Sequence, residues 1–258
     1  MNRIEGKRVL ITGASAGIGA ACARAFHERG AHLELVARRE ERLHTLRRDL
    51  EERAGGEIHI HTLDVRDRPA VEALVDELAS ESRIPDVLVN NAGLVRGLDR
   101  FHEADPDTFD EVIDTNVKGV LYFSRSFLPH MVARNRGHVV NLGSVAGHMV
   151  YPGGSVYNAT KFAVRALTQA ISVDLKGTRI RVSSIDPGAV ESEFSLVRFR
   201  GDEERSAKVY EGYEPLSPDD VADAVCYVVN APEHVNVLQM LILPTDQRNP
   251  YVHHREES

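Results

Sequence analysis

Apolar residues recur along this chain in two alternating patterns, short unbroken runs and longer stretches with a helical repeat. The run Arg8 to Thr12 (RVLIT) has no polar interruption until its end, as expected of a strand buried on both faces of a parallel sheet. An alanine-rich helix to about Arg29 follows, then a second strand over His32 to Ala37 and a charge-rich helix. The pattern predicts a third strand over Ile58 to Leu63, an amphipathic helix after Pro69, and a fourth strand from Asp86 that ends in Asn90-Asn91-Ala92-Gly93. A long helix runs from after Pro106 to about Arg134, a fifth strand covers His138 to Leu142, and a helix through Lys161 reaches about Lys176. Arg179 to Ile185 forms the sixth strand. Ser217 as N-cap with Pro218 at the first helical position opens another helix, and Val237 to Leu243 is the last strand. Between Ala189 and Tyr213 periodicity is lost; a loop this long in a compact domain points to a substrate lid, about 189–213.

Composition narrows the class without changing the picture. The chain has 258 residues, 42% hydrophobic and 27% charged, with no linker to divide it, so one domain over 1–258 is expected. A net charge of −8 excludes nucleic acid and anionic membrane surfaces as expected partners. The two cysteines, Cys22 and Cys226, lie in apolar helical contexts with no metal or CxxC spacing, so buried thiols and a reducing, cytoplasmic setting are expected. The N-terminus enters a strand directly, and no run approaches the ~18 apolar residues of a membrane span. Twelve histidines are scattered; His59/His61 and His253/His254 lack further ligands, so no metal site is expected. The polar tail, about 245–258, is expected either to fray or to pack on another subunit.

Candidate chemistry gathers at the carboxyl ends of the strands. After the first strand, Gly13-Ala-Ser15-Ala-Gly17-Ile18-Gly19 opens a helix: glycines let the backbone approach a pyrophosphate, and the helix start offers free N–H groups. The spacing has no Lys-Ser/Thr end, which disfavours a nucleotide triphosphatase. The second strand ends at Arg38-Arg39, where an acid would bind a ribose 2′-hydroxyl and an arginine accommodates a 2′-phosphate; NADP is favoured over NAD. Asp64 after the third strand either caps the next segment or meets adenine. Asn90 and Gly93 are candidates for holding cofactor or bracing the loop. Asn116, in the apolar helical setting VIDTNVKGVLYF, needs a hydrogen-bond partner, and either serves structure or holds a water. Ser144 follows the fifth strand, and Tyr157 and Lys161 stand at i and i+4, one turn apart on one helix face. A nearby ammonium stabilises a phenolate, so Tyr157 is expected to have a lowered pKa and to act as general acid or base toward a carbonyl or alcohol.

Taken together, TGASAGIG, NNAG, Asn116, Ser144, YNATK and PG resemble, in order and spacing over nearly the whole chain, the short-chain dehydrogenase/reductase family. The resemblance implies a Rossmann-type doubly wound α/β fold, one parallel sheet of about seven strands with helices on both faces, usually in homotetramers or homodimers. It implies that Tyr157 is the catalytic acid/base, that Lys161 lowers its pKa and binds the nicotinamide ribose, that Ser144 bonds the substrate oxygen, and that Asn116 places a water linking Lys161 to solvent. It places Gly13, Ser15, Ile18 and Gly19 on the cofactor loop, Asp64 and Val65 near adenine, and Asn90 near its ribose. Pro187, Gly188 and Val190 fall near the nicotinamide, with Ser192 where the family often has Thr. The segments EFSLVRFRGD, APEHVNV and PTDQ are similar to the branch of NADP-dependent 3-hydroxy acid dehydrogenases acting on serine, L-allo-threonine and malonic semialdehyde; PTDQ is also similar to that of aldehyde reductases such as a clavulanate-forming one.

The resulting expectation is reversible hydride transfer between NADP and the alcohol or carbonyl of a small 3-hydroxy acid, with Arg198 or Arg200 of the lid meeting its carboxylate. Two alternatives accompany it. A reductase for an uncharged ketone, aldehyde or quinone would use the same catalytic residues without the lid arginines; an NADP(H)-sensing regulatory protein would keep the fold without turnover.

Overall fold

Each apolar run becomes a strand of one sheet in the computed structural model, which describes residues 1–255. The first half comprises β1 (Arg8–Thr12), α1 (Gly17–Glu28), β2 (His32–Ala37), α2 (Glu40–Glu51), β3 (Ile58–Thr62), α3 (Arg68–Ser80) and β4 (Val87–Asn90). The second begins with α4 (Asp107–Ile113) and α5 (Gly119–Ala133), followed by β5 (Gly137–Leu142), α6 (Ser155–Asp174) and β6 (Ile180–Pro187). Two short helices, α7 (Glu193–Arg198) and α8 (Glu203–Lys208), precede α9 (Pro218–Asn230) and β7 (Gln239–Ile242).

All seven strands are parallel, in the order β3-β2-β1-β4-β5-β6-β7. The order reverses between β1 and β4, which opens a crevice at the strands' carboxyl ends. Alternation within the strands divides the core in two. Val9, Ile11, Leu33 and Leu35 point toward α1, α2 and α9, whereas Leu10, Val36, Leu88 and Val139 point toward α3 and α5. Both faces of the sheet are therefore covered, as uninterrupted apolar runs require. The one charge buried inside β2, Glu34, is neutralised by Arg8, Arg83 and His61, each 2.7 Å away. Burial pushes its carboxyl up, yet the His61 hydrogen bond and Arg83 outweigh that and hold it below the usual range. It belongs to the scaffold.

Four local features differ from expectation. The helix after Pro106 is interrupted by a π turn over Asp114–Lys118, which places Asn116. The aperiodic 189–213 segment holds two six-residue helices, too short to show a repeat but each capped, by Ser192 and Asp202. β6 runs two residues past its expected end, to Pro187. The tail through Arg255 folds back on its own chain: Gln247 bridges to His253, the Arg248 N–H donates to the Val252 carbonyl at 2.8 Å, and the His253 ring packs on Tyr213 at 5.1 Å. Its last residues, 256–258, lie outside the described residues. Cys22 and Cys226 are buried free thiols; burial pushes both above the ordinary thiol value, Cys226 to about 12. Among the described residues no helix is long and apolar enough to cross a membrane, and no His/Cys/Asp/Glu cluster fits a metal ion.

Candidate active site

The crevice is a cleft of about 700 Å³, within the range of small-molecule and cofactor sites. Its floor begins at the turn after β1. Gly13 has φ +68°, and a Cβ there would meet the Asn91 side chain at 2.9 Å, so both backbone shape and close approach demand glycine. Asn91, which sequence reasoning passed over in favour of its neighbour, donates to the Thr12 carbonyl at 2.8 Å and ties this turn to β4. The start of α1 has no side-chain cap: Ala16 occupies that position, so its first N–H groups are free for an anion, unlike α3 and α9, which Asp67 and Ser217 cap.

At the far rim stand the two adjacent arginines. Arg39 donates from Nε to Ser15 Oγ at 3.2 Å and pairs with Glu193 at 3.0 Å, and Arg38 faces Asp64 at 3.7 Å. Asp64 also receives Arg66 at 2.6 Å; burial opposes, but Arg66 holds the carboxyl below its usual value. Val65, Gly93, Ile18 and Val190 line the wall between this rim and the far end. Pro187, Gly188 and Ser192 close the opposite side, where a Cβ on Gly188 would lie 2.2 Å from Gln247 Oε1, the atom that accepts the Ala189 N–H. An uncapped helix start, a glycine cradle and paired cations fit an adenine dinucleotide carrying a 2′-phosphate.

Three expected residues are not brought to the cleft wall. Asn90 is buried in the core, where its side-chain amide donates to Asn141 at 2.9 Å and Ser124 at 3.1 Å and so braces β4 against β5 and α5. Gly19 lies beneath the loop, where a Cβ would meet the Gly13 carbonyl at 2.4 Å; it lets helix and turn close on each other. Asn116 clamps the loop after β4: Oδ1 accepts from the Leu94 N–H, and Nδ2 donates to the Leu94 carbonyl, both at 2.8 Å, and to Thr160 at 3.1 Å. Both amide hydrogens are thus committed, leaving only the second lone pair of Oδ1 for a water.

At the reacting end, β5 delivers Ser144 and α6 delivers Tyr157 and Lys161, all buried. Ser144 accepts from the Ala146 N–H at 3.1 Å, which orients its hydroxyl at the strand end. Lys161, 7% exposed, donates to the Leu142 carbonyl at 2.7 Å and lies 5.7 Å from the Tyr157 ring centre. Burial lowers the ammonium to about 8, with the buried carboxylate Asp186 opposing. The phenol departs from expectation. Burial pushes Tyr157 well above its ordinary value, the neighbouring Tyr151 adds to this, and the facing Ser144 hydroxyl and Arg198 only partly oppose. Tyr157 therefore holds its proton and is not a ready phenolate.

The lid arginines part company. Arg198 lies inside: Nη2 donates to the Tyr151 hydroxyl at 2.8 Å, its guanidinium sits 5.9 Å from the Tyr151 and Phe194 rings, and its Nε is buried with no partner among the described residues. Arg200 is 68% exposed and paired at 3.5 Å with Asp105, in the wall of an adjoining outer cavity that Tyr157 and Arg198 also line. Sequence reasoning also missed Phe194, packed 5.7 Å from Tyr157, and the tail residues Tyr251, His253 and Arg255 at the cleft's mouth. Phe194 adjoined the lid arginines in sequence, but no signal placed the tail here.

Residues 7–201 match the family described as short chain dehydrogenase. The chain belongs to that family. Among its relatives is the NADP-dependent 3-hydroxy acid dehydrogenase YdfG of Salmonella typhi, 45% identical over 240 residues that cover 93% of this chain and 95% of that protein. Another is sulfoacetaldehyde reductase 2 of Chromohalobacter salexigens, 42% identical over 93% of this chain and 94% of its own length. Among solved structures, the closed form of serine dehydrogenase complexed with NADP+ superposes with a TM-score of 0.89 at 41% identity, covering 97% of this chain and all of that one (100%). The short-chain dehydrogenase family and the NADP named with the 3-hydroxy acid dehydrogenase and the serine dehydrogenase agree with what the sequence leads one to expect.

Proposed function

We propose that this protein is an NADP-dependent oxidoreductase interconverting the hydroxyl and carbonyl of a small 3-hydroxy acid of the serine, L-allo-threonine or malonic semialdehyde type. The observation that carries the substrate class is the buried, unpartnered Nε of Arg198 in the wall of the cleft that holds Tyr157. An orphaned N–H on a permanent cation costs free energy unless a ligand anion takes it up. The relatives' substrates support this reading, since a hydroxy acid and sulfoacetaldehyde both carry an acid group.

When bound, NADP supplies the hydride donor or acceptor; Arg38, Arg39 and Ser15 would hold its 2′-phosphate, and the start of α1 its pyrophosphate. In the reducing direction Tyr157 gives its proton to the substrate oxygen, and Ser144 donates a hydrogen bond to the same atom as charge develops there. Lys161, positive below about 8, stands beside the phenolate left behind. Arg198 fixes the acid group so that the carbonyl faces Tyr157. A cytoplasmic homodimer or homotetramer is part of the reading; exposed apolar side chains on α5 and α6, Leu121, Phe162 and Val173, offer surface for association.

Replacing Arg198 by Ala tests the substrate class. KM for a 3-hydroxy acid is expected to rise about 10- to 100-fold, the worth of a charge-assisted hydrogen bond, with an uncharged alcohol changed less than about twofold. Equal effects on both would leave a reductase of uncharged carbonyls, and cofactor binding without turnover of any substrate would leave a sensor, for which the relatives give no support.

A further inference from the structure

The anion at the phosphate end of the cleft belongs to the lid. Glu193, the first residue of α7, reaches Arg39 at 3.0 Å and Arg42 at 2.5 Å, and these arginines hold its carboxyl below the usual range despite partial burial. Arg39 simultaneously donates to Ser15, so the carboxylate sits on the cation expected to bind the cofactor's 2′-phosphate. The same helix carries the reacting end: Phe194 packs on Tyr157, and Arg198 lies against Tyr151. Its far end is fastened separately, by Arg96 Nη1 to the Val197 carbonyl at 2.7 Å and by the Gly97 N–H to the Arg198 carbonyl at 3.1 Å. Helix α7 thus spans the cleft from phosphate seat to substrate cation in six residues, about 9 Å.

We propose that Glu193 is a specificity-determining residue that competes with the 2′-phosphate for Arg39, so that recognition of the phosphorylated cofactor and release of the lid's leading end are one event. A carboxylate and a phosphate cannot share one guanidinium edge at 3 Å without repulsion. Phosphate binding therefore displaces Glu193 toward Arg42 or solvent, and α7 pivots on its fastened end at Val197 and Arg198, carrying Phe194 with it. A cofactor lacking the phosphate leaves the Glu193–Arg39 pair intact and the lid where it stands. The inference rests on the NADP reading above and adds what the protein does with the phosphate.

The test is binding, independent of turnover. Dissociation constants for NADP+, NAD+, 2′,5′-ADP and 5′-AMP are measured by calorimetry in the parent protein and in Glu193→Gln. The variant is expected to bind NADP+ and 2′,5′-ADP about two- to tenfold more tightly, with NAD+ and 5′-AMP unchanged, because the pair lost is half-exposed. The chain has no tryptophan, so Phe194→Trp puts a single reporter on α7; its emission should change with 2′,5′-ADP and not with 5′-AMP. Equal shifts for all four ligands, or none, would overturn the competition, as would a reporter blind to 2′,5′-ADP. A parent protein that binds NADP+ and NAD+ alike would remove the cofactor reading and this inference together.

Discussion

Tyr157 and Lys161 titrate in opposite directions for one reason, burial, and this sets the pH behaviour. Lys161 is charged below about 8 and neutral above it, because burial disfavours its charged form. Tyr157 keeps its proton throughout that range, pushed up by the same burial. Turnover in the reducing direction is therefore expected to be level from about pH 6 to 8 and to fall about tenfold per pH unit beyond, as the phenolate loses its cation. A profile of kcat flat to about pH 10 would separate Lys161 from the proton step. The pairing of these two residues was readable from their i, i+4 spacing; the direction of the phenol's shift was not, because the rings that bury it, Tyr151 and Phe194, come from other segments. Arg198 and Arg200 were equivalent in sequence for the same reason: only the fold turns one inward.

Helix α5 and its π turn show how a single amide can organise an element. Asn116 satisfies both backbone polar groups of Leu94, so Asn116→Ala leaves them buried without partners at a cost of about 2–4 kcal/mol. Denaturant unfolding should show that loss, and kcat should fall with it, because the loop that bears Gly93 beside Lys161 slackens. That Asn116 required a partner followed from its apolar setting; that the partner is a loop, and that the helix widens by a residue to present it, has no sequence signature. The strands were the easiest elements to read, each an apolar run ending at a polar or glycine residue. The two helices of the lid carry caps in plain view, Ser192 and Asp202, but six residues hold too few turns to display a face.

The strands followed from the apolar runs, and the family resemblance implied their parallel order with helices on both faces, as a strand apolar on both sides requires. The folded-back tail followed from neither, because polar residues pack against a rim through hydrogen bonds that leave no apolar pattern. Gln247 is its anchor: buried, it accepts from the Ala189 N–H and donates to the Asn249 carbonyl at 3.1 Å. Removing residues 245–258 is expected to weaken NADP+ binding about tenfold, because a part-buried backbone donor beside Gly188 loses its partner. Unchanged binding by calorimetry would make the tail a bystander.

Arg3 and Arg255 lie at opposite ends of the strands. Met1 is almost fully exposed below the start of β1, and Arg3 is held by Asn230 at 2.7 Å, far from the strands' carboxyl ends. Arg255, by contrast, lies over the Tyr213 ring and donates to the Glu211 carbonyl at the mouth of the cleft. Coenzyme entering the cleft must therefore pass Arg255, so Arg255→Ala is the change in the tail that most directly widens that entrance.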